Sequence, residues 1–300
     1  MVADGTVAVD GSTIHYLEAG DDAAQTVVLL HGGIIDAAGV TWPPVIDRLA
    51  TDYHVVAPDL LGYGESDVPP GPYSIGRHAT VVGDFLDELG LDGVTLVGHS
   101  MGGGVAIQLA LDRPSLVETL VPIDAYGLGT DLPNGRLSYL LAQVQVFNRV
   151  AIALFRHSRR FTRASLDGIV HDLDALPADA VDAVYEEVQR PTAGAAFRRF
   201  REAEVTSSGY RTTFLDRFEE VAVPVRLAHG VHDDLFPSRG HSGRPTGSPT
   251  RRCACSRTVL TGPHVRIQMP SPSTFYPPST DSSAFVRAVY RRVGYPAIAR

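Results

Sequence analysis

"GVTLVGHSMGGGVAIQLALDRP" (residues 93–114) joins two hydrophobic patterns across one serine. Val94 to Val97 form a short aliphatic run, the pattern of a strand with both faces buried. From Met101 the apolar residues recur at helical spacing, and the run stops before Pro114. Gly98, Ser100 and Gly102 stand between them in G-x-S-x-G spacing. A serine held on a tight strand-to-helix turn has its oxygen exposed above the sheet, and flanking glycines relieve crowding around that strained backbone. The amide of Met101, at the start of the helix, is then placed to stabilise an oxyanion. The competing reading is a plain structural turn; the apolar strand before and the helix after favour the nucleophile. His99 adjoins Ser100 in sequence, so its side chain points elsewhere, which suits packing rather than catalysis.

The same alternation extends outward. "STIHYLEAG" (12–20), "TVVLLHGG" (26–33), "YHVVAPDLLGYGESD" (53–67) and "VETLVPID" (117–124) read as strands running into turns. "HATVVGDFLDELGL" (78–91) has helical spacing, with Val82, Phe85, Leu86 and Leu89 on one stripe and Gly90 as its stop. Strands alternating with helices imply a parallel sheet with helices on both faces. Residues 128 to about 214 break this order with arginine-rich helical runs, among them "LPADAVDAVYEEVQR" (176–190) and "AAFRRFREAEV" (195–205). "VPVRLAHG" (223–230) then resumes the buried-strand pattern. The helical stretch is therefore expected as a lid inserted between core strands, with a small all-helical second domain as the alternative. This divides the chain into a core part at 1–127, the insertion at 128–214 and a returning core part at 215–300.

Composition narrows the function classes. With 300 residues, 44% of them hydrophobic, the chain is long enough for one large domain with a substantial core. A net charge of −8 disfavours nucleic acid or an anionic membrane as partner. No apolar run approaches membrane-spanning length, and the first residues lack a signal-peptide pattern, so a cytoplasmic location is expected. The cysteines are Cys253 and Cys255, too close for a structural staple and in no metal-ligand pattern, so neither a metal nor another cofactor is expected. All 26 basic residues are arginine, which suggests a GC-rich coding sequence.

Two further motifs bear on chemistry. In "HGG" (31–33), Gly33 is placed to donate a second oxyanion amide, with Ile34 its neighbour and a plain turn as the alternative. His31 reads as a histidine that stabilises this loop. "LAHGVHDDLFP" (227–237) ends a late strand in carboxylates; there Asp233, with Asp234 next, is placed to orient a histidine base. Asp124, at the end of the preceding strand, is a further candidate for the acid. Taken together, "HGG", "PDLLGYGESD", "GHSMGG" and "HGVHDD" across residues 12–237 resemble the α/β-hydrolase superfamily, in its lid-bearing branch. The chain is similar there to esterases and to meta-cleavage-product hydrolases. Serine at 100 disfavours the branches whose nucleophile is aspartate. The resemblance implies a small-molecule substrate, partly apolar, and an acyl-enzyme formed on Ser100. It leaves oligomeric state open and demands a histidine after Asp233.

That histidine is where the sequence departs from the family. Residues 238–280 contain no Asp or Glu and no periodicity, and the one histidine in the last fifty residues is His264, in "LTGPHVRIQMP" (260–270). A disordered Ser/Pro/Arg-rich loop is one reading. Another is a frameshift. Joining the third base of each codon to the first two of the next, from Leu260 to Ser271, permits "HWPPREHPDAF". This is the histidine-bearing loop that the family places there. His264 is thus the candidate base by position, while a shifted frame supplies a better one. The alternatives to an active enzyme are a non-catalytic binding member of the fold and an inactive product of a frameshifted gene.

Overall fold

The computed structural model describes residues 1–128, 145–166, 176–228 and 258–260. Its spine is an eight-stranded sheet. The strands are β1 (Ala3–Val9), β2 (Ser12–Ala19), β3 (Thr26–Leu30), β4 (His54–Pro58), β5 (Val94–His99), β6 (Val117–Ile123), β9 (Val225–Leu227) and β10 (Thr258–Leu260). They lie in the order β1-β2-β4-β3-β5-β6-β9-β10. β4, β3, β5, β6 and β9 run parallel, which requires crossover connections between them. β1 and β2 form an antiparallel hairpin on one edge, and β10 pairs antiparallel with β9 on the other. The fold is an α/β-hydrolase sheet, mostly parallel, with helices on both faces.

The doubly buried pattern of the central strands is realised residue by residue. Val28 and Leu30 of β3 join one apolar cluster while Val27 and Leu29 join the other, and all four are fully buried. Helices α3 (Ile75–Glu88) and α4 (Met101–Asp112) cover the first face through Val82, Phe85, Leu86, Val105 and Leu109. Helices α1 (Ala38–Thr41) and α2 (Pro43–Leu49) cover the second through Trp42, Val45, Ile46 and Leu49. Burial of each such side chain contributes about 1.5–3 kcal/mol.

Helix α3 begins at Ile75, three residues ahead of the stretch 78–91, because the Ser74 hydroxyl accepts a hydrogen bond from Arg77 N (3.2 Å) and caps it there. The β1–β2 hairpin was not expected, although its turn residues were visible. Asp10 and Gly11 adopt φ of 45° and 74°, the two-residue turn that Asp-Gly favours.

Four described helices, α5 (Gln145–His157), α6 (Arg159–Leu166), α7 (Ala180–Gln189) and α8 (Ala195–Glu204), fall between the neighbouring strands β6 and β9. A two-stranded ribbon, β7 (Val205–Thr206) and β8 (Gly209–Tyr210), follows α8. Among the described residues no helix is long and apolar enough to cross a membrane.

Backbone closely approaches backbone where α4 meets β3. A Cβ added to Gly102 would stand 2.4 Å from the Leu30 carbonyl oxygen. Gly102→Ala should therefore cost about 2 kcal/mol or more, because backbone rather than a flexible side chain has to yield. Gly76, in the first turn of α3, has open space at its Cβ position. Gly76→Ala is expected to be neutral or to stabilise by up to about 1 kcal/mol. Urea midpoints of the two variants against the parent check the contrast.

Candidate active site

Ser100 lies between β5 and α4 with φ 53° and ψ −115°, a conformation that a non-glycine residue adopts only when its surroundings enforce it. Three hydrogen bonds do so. Ser100 N donates to the Ile123 carbonyl (2.9 Å), and the Ser100 carbonyl accepts from Gly104 N (3.2 Å) and Tyr126 N (2.9 Å). The glycines are required by space as well. A Cβ on Gly98 would meet the Gly102 oxygen at 2.2 Å, and one on Gly103 would meet the Ala125 Cβ at 2.7 Å. The first amides of α4 have no intrahelical acceptor, so the end of the helix facing Ser100 carries donors and partial positive charge.

The loop after β3 passes directly over this helix end. A Cβ at Gly33 would stand 3.1 Å from Met101 Sδ and 3.3 Å from Phe197 of α8. Gly33 and Met101, read separately in the sequence, are thus neighbours. The Gly32 amide donates to Asp36 Oδ2 (2.8 Å) and is committed there. Asp36 Oδ1 also accepts from Thr41 Oγ1 (2.6 Å) and Ala37 N (2.9 Å).

His31 is fully buried and serves this loop. Leu60 N donates to its Nε2 (2.9 Å), so Nδ1 carries the hydrogen and donates to the Gly32 carbonyl (2.8 Å). Its ring packs edge-on against Tyr63, whose hydroxyl donates to Met101 Sδ (3.6 Å). His99 is half-buried beside Gly32: a Cβ on Gly32 would meet its Nδ1 at 3.3 Å.

A second carboxylate, Asp59, fastens the neighbouring turn. It accepts from His15 Nδ1 (2.8 Å), Ala38 N (2.7 Å) and Glu65 N (2.9 Å). Burial alone would raise its pKa; the His15 hydrogen bond, the charge of His31 and the two amides outweigh it and hold the carboxyl below its ordinary value. The Asp59 hydrogen bond, against the opposing effect of burial, raises His15 correspondingly. Asp59 lies inside the quoted "PDLLGYGESD" stretch, but its tertiary partner His15 is 44 residues away and had no local signal.

Asp124 follows β6, buried and with φ 45°; its amide donates to the Ala228 carbonyl (3.0 Å). It stands one residue beyond the carbonyl that binds Ser100 N. Asp233, Asp234 and His264 lie outside the described residues. Among the described residues no group of three or more His, Cys, Asp or Glu is arranged to hold a metal.

Comparison with known proteins identifies the family. The family model described as "alpha/beta hydrolase fold" matches residues 25–262, and the chain belongs to that family. An uncharacterized protein of Mycobacterium tuberculosis is 36% identical over 234 residues, covering 72% of this chain and 64% of its own length. The chain thus spans slightly under two thirds of that relative. A 2-hydroxy-6-oxo-6-(2'-aminophenyl)hexa-2,4-dienoic acid hydrolase of Metapseudomonas resinovorans is 36% identical over 124 residues, 41% of this chain and 39% of that one. Among solved structures, a membrane phospholipase A described as a bacterial virulence factor superposes with a TM-score of 0.64. It is 25% identical, and the match covers 79% of this chain and 72% of that one.

Beneath the site, His78 is buried against Tyr63 and Tyr73, with no hydrogen-bond partner among the described residues for either ring nitrogen. Burial first, then the charges of His31 and Arg77, lower its pKa to about 3. The unfolded chain takes up a proton near pH 6.5 that the folded chain refuses, so stability falls as pH drops from 6.5 toward 3. His78→Phe should remove this slope. Between pH 7 and pH 5 the parent is expected to lose about 2 kcal/mol more than the variant, read from urea unfolding at each pH.

Proposed function

We propose that this chain is a serine hydrolase that cleaves a carboxylic ester or a similar carbonyl bond, including a carbon–carbon bond beside a carbonyl, of a small and partly apolar substrate. The observation that carries the reading is the Ser100 backbone, held at φ 53° between a buried strand and a helix N-terminus. Ser100 Oγ attacks the carbonyl carbon while a histidine takes its proton. The developing oxyanion is received by the amides of Gly33 and Met101. The protonated histidine then delivers the proton to the leaving group, and water, activated by the same histidine, releases the acyl group and regenerates Ser100. Asp233 is assigned to orient the histidine, with Asp234 and then Asp124 behind it, and His264 holds the base position in the chain as written.

Residues 128–214 act in this reading as a lid. Its support is Phe197 of α8, which stands at the Gly33–Met101 junction and presents an aromatic wall there. The similarity to a dienoic acid hydrolase favours the carbon–carbon variant of the chemistry, and that to a phospholipase the ester variant.

A fluorophosphonate probe tests the nucleophile. With residues 238–280 restored to the shifted frame it should label Ser100, and Ser100→Ala should abolish labelling; label retained in the alanine variant would remove Ser100 from the role, and a frame-restored protein that never labels would favour a binding-only protein. Restoring residues 238–280 to the shifted frame should raise ester turnover on the order of 10⁴-fold, because the triad works as a unit. Full activity in the written chain, lost in His264→Ala, would instead establish His264 as the base.

A further inference from the structure

The largest structural investment outside the site just described is a carboxylate with no exposed surface. Glu204 closes α8, in the helical segment, and is 0% exposed. A buried carboxylate is costly unless its oxygens are satisfied. Glu204 Oε1 accepts from Ile75 N (2.8 Å), the first amide of core helix α3. Its Oε2 accepts from Thr212 N (3.2 Å) and, at longer range, from the Tyr126 hydroxyl (3.4 Å), which also reaches the Glu204 carbonyl (3.3 Å). Burial, and next the Glu204 charge, push the Tyr126 phenol well above its ordinary pKa, so it stays a donor.

Both ends of this network converge on the turn that holds Ser100. Tyr126 N is one of the two donors to the Ser100 carbonyl, and Gly104 N is the other. Ile75 packs on the same turn: a Cβ on Gly104 would meet Ile75 Cδ1 at 3.1 Å and the Tyr126 oxygen at 2.9 Å. The Tyr126 ring is gripped edge-on by Phe200 of α8 (5.2 Å) and Tyr210 of β8 (4.9 Å). Phe214 N donates to the Gly127 carbonyl (2.8 Å), so the returning chain binds the residue after Tyr126 as well.

We propose that Glu204 is a positioning residue for the nucleophile, tying the seated helical segment through Tyr126 and Ile75 to the strained turn at Ser100. The proposal rests on Ser100 being the nucleophile. It makes the seating of α8 a condition for the geometry of the elbow, so that a displaced helical segment leaves a less reactive serine.

Glu204→Gln keeps the shape but sets an amide group against backbone donors. Tyr126→Phe removes only the hydroxyl and is the variant expected to fold most like the parent. In the full chain, fluorophosphonate labelling of the folded fraction should show the maximal inactivation rate constant reduced about tenfold in Glu204→Gln and about threefold in Tyr126→Phe. The probe concentration for half-maximal rate should be unchanged, and the double variant should be no slower than Glu204→Gln alone, since both act on one link.

Hydrogen exchange reads the same link without catalysis. The amides of Gly104 and Tyr126 should exchange about tenfold faster in both variants while those of β3 keep their protection. Unchanged exchange, or folded variants that label at the parent rate, would overturn the proposal. Faster exchange together with a frame-restored parent that does not label would sink the nucleophile reading and leave the tether standing.

Discussion

The close passage of α4 under the end of β3 is the constraint on which the rest of this structure depends. Backbone meets backbone there at distances that exclude even one methyl group, at Gly98 against Gly102 and at Gly102 against Leu30 and His31. This contact lets the chain reverse from strand to helix within one residue, and that residue, Ser100, absorbs the strain. Such strain costs about 1–3 kcal/mol and persists only where the surroundings over-determine it. Here strand β6 supplies the acceptor for Ser100 N, and the turn after it supplies a donor to the Ser100 carbonyl.

The loop over the helix end is fixed by polar groups rather than by bulk. Asp36, His31 and Asp59 each satisfy backbone groups that a tight, buried loop otherwise leaves unpaired, and an unsatisfied buried amide costs about 1–3 kcal/mol. Pre-organisation follows from that accounting. With Gly32 N bound to Asp36 and the Gly32 carbonyl bound to His31, the loop arrives at Met101 in one conformation. Tyr63 carries the same order to the Met101 side chain.

The helical segment is attached in two physically different ways. Arg190, after α7, pairs with the exposed Glu65 of the core, an ion pair of the kind worth about 0–1 kcal/mol and weakened by salt. Glu204 and Ile75 are buried, so breaking that contact leaves a charge and the Ile75 amide without water or partner. The first attachment is adjustable and the second is not.

Local sequence was sufficient for elements whose stability is local or whose burial is complete. The apolar runs of β3, β5 and β6, the helical spacing of α3 and α4, and the G-x-S-x-G spacing all appear where their residues require. The arginine-rich amphipathic runs likewise appear as helices between β6 and β9. The β1–β2 hairpin was legible in Asp10-Gly11 but is an edge element of mixed burial, where hydrophobic pattern is weakest. The orientation of β10 is a matter of pairing, since a three-residue strand carries no information about the direction of its neighbour. What depended on tertiary structure alone was the partnership of polar side chains distant in sequence: His15 with Asp59, and Glu204 with Ile75. A buried charge is stable only when distant backbone donors converge on it, and convergence across 44 or 129 residues leaves no trace in local pattern. The sequence by itself determined which residue stands at the strained turn. The packing of β6, α3 and α8 around it determined how that residue is held.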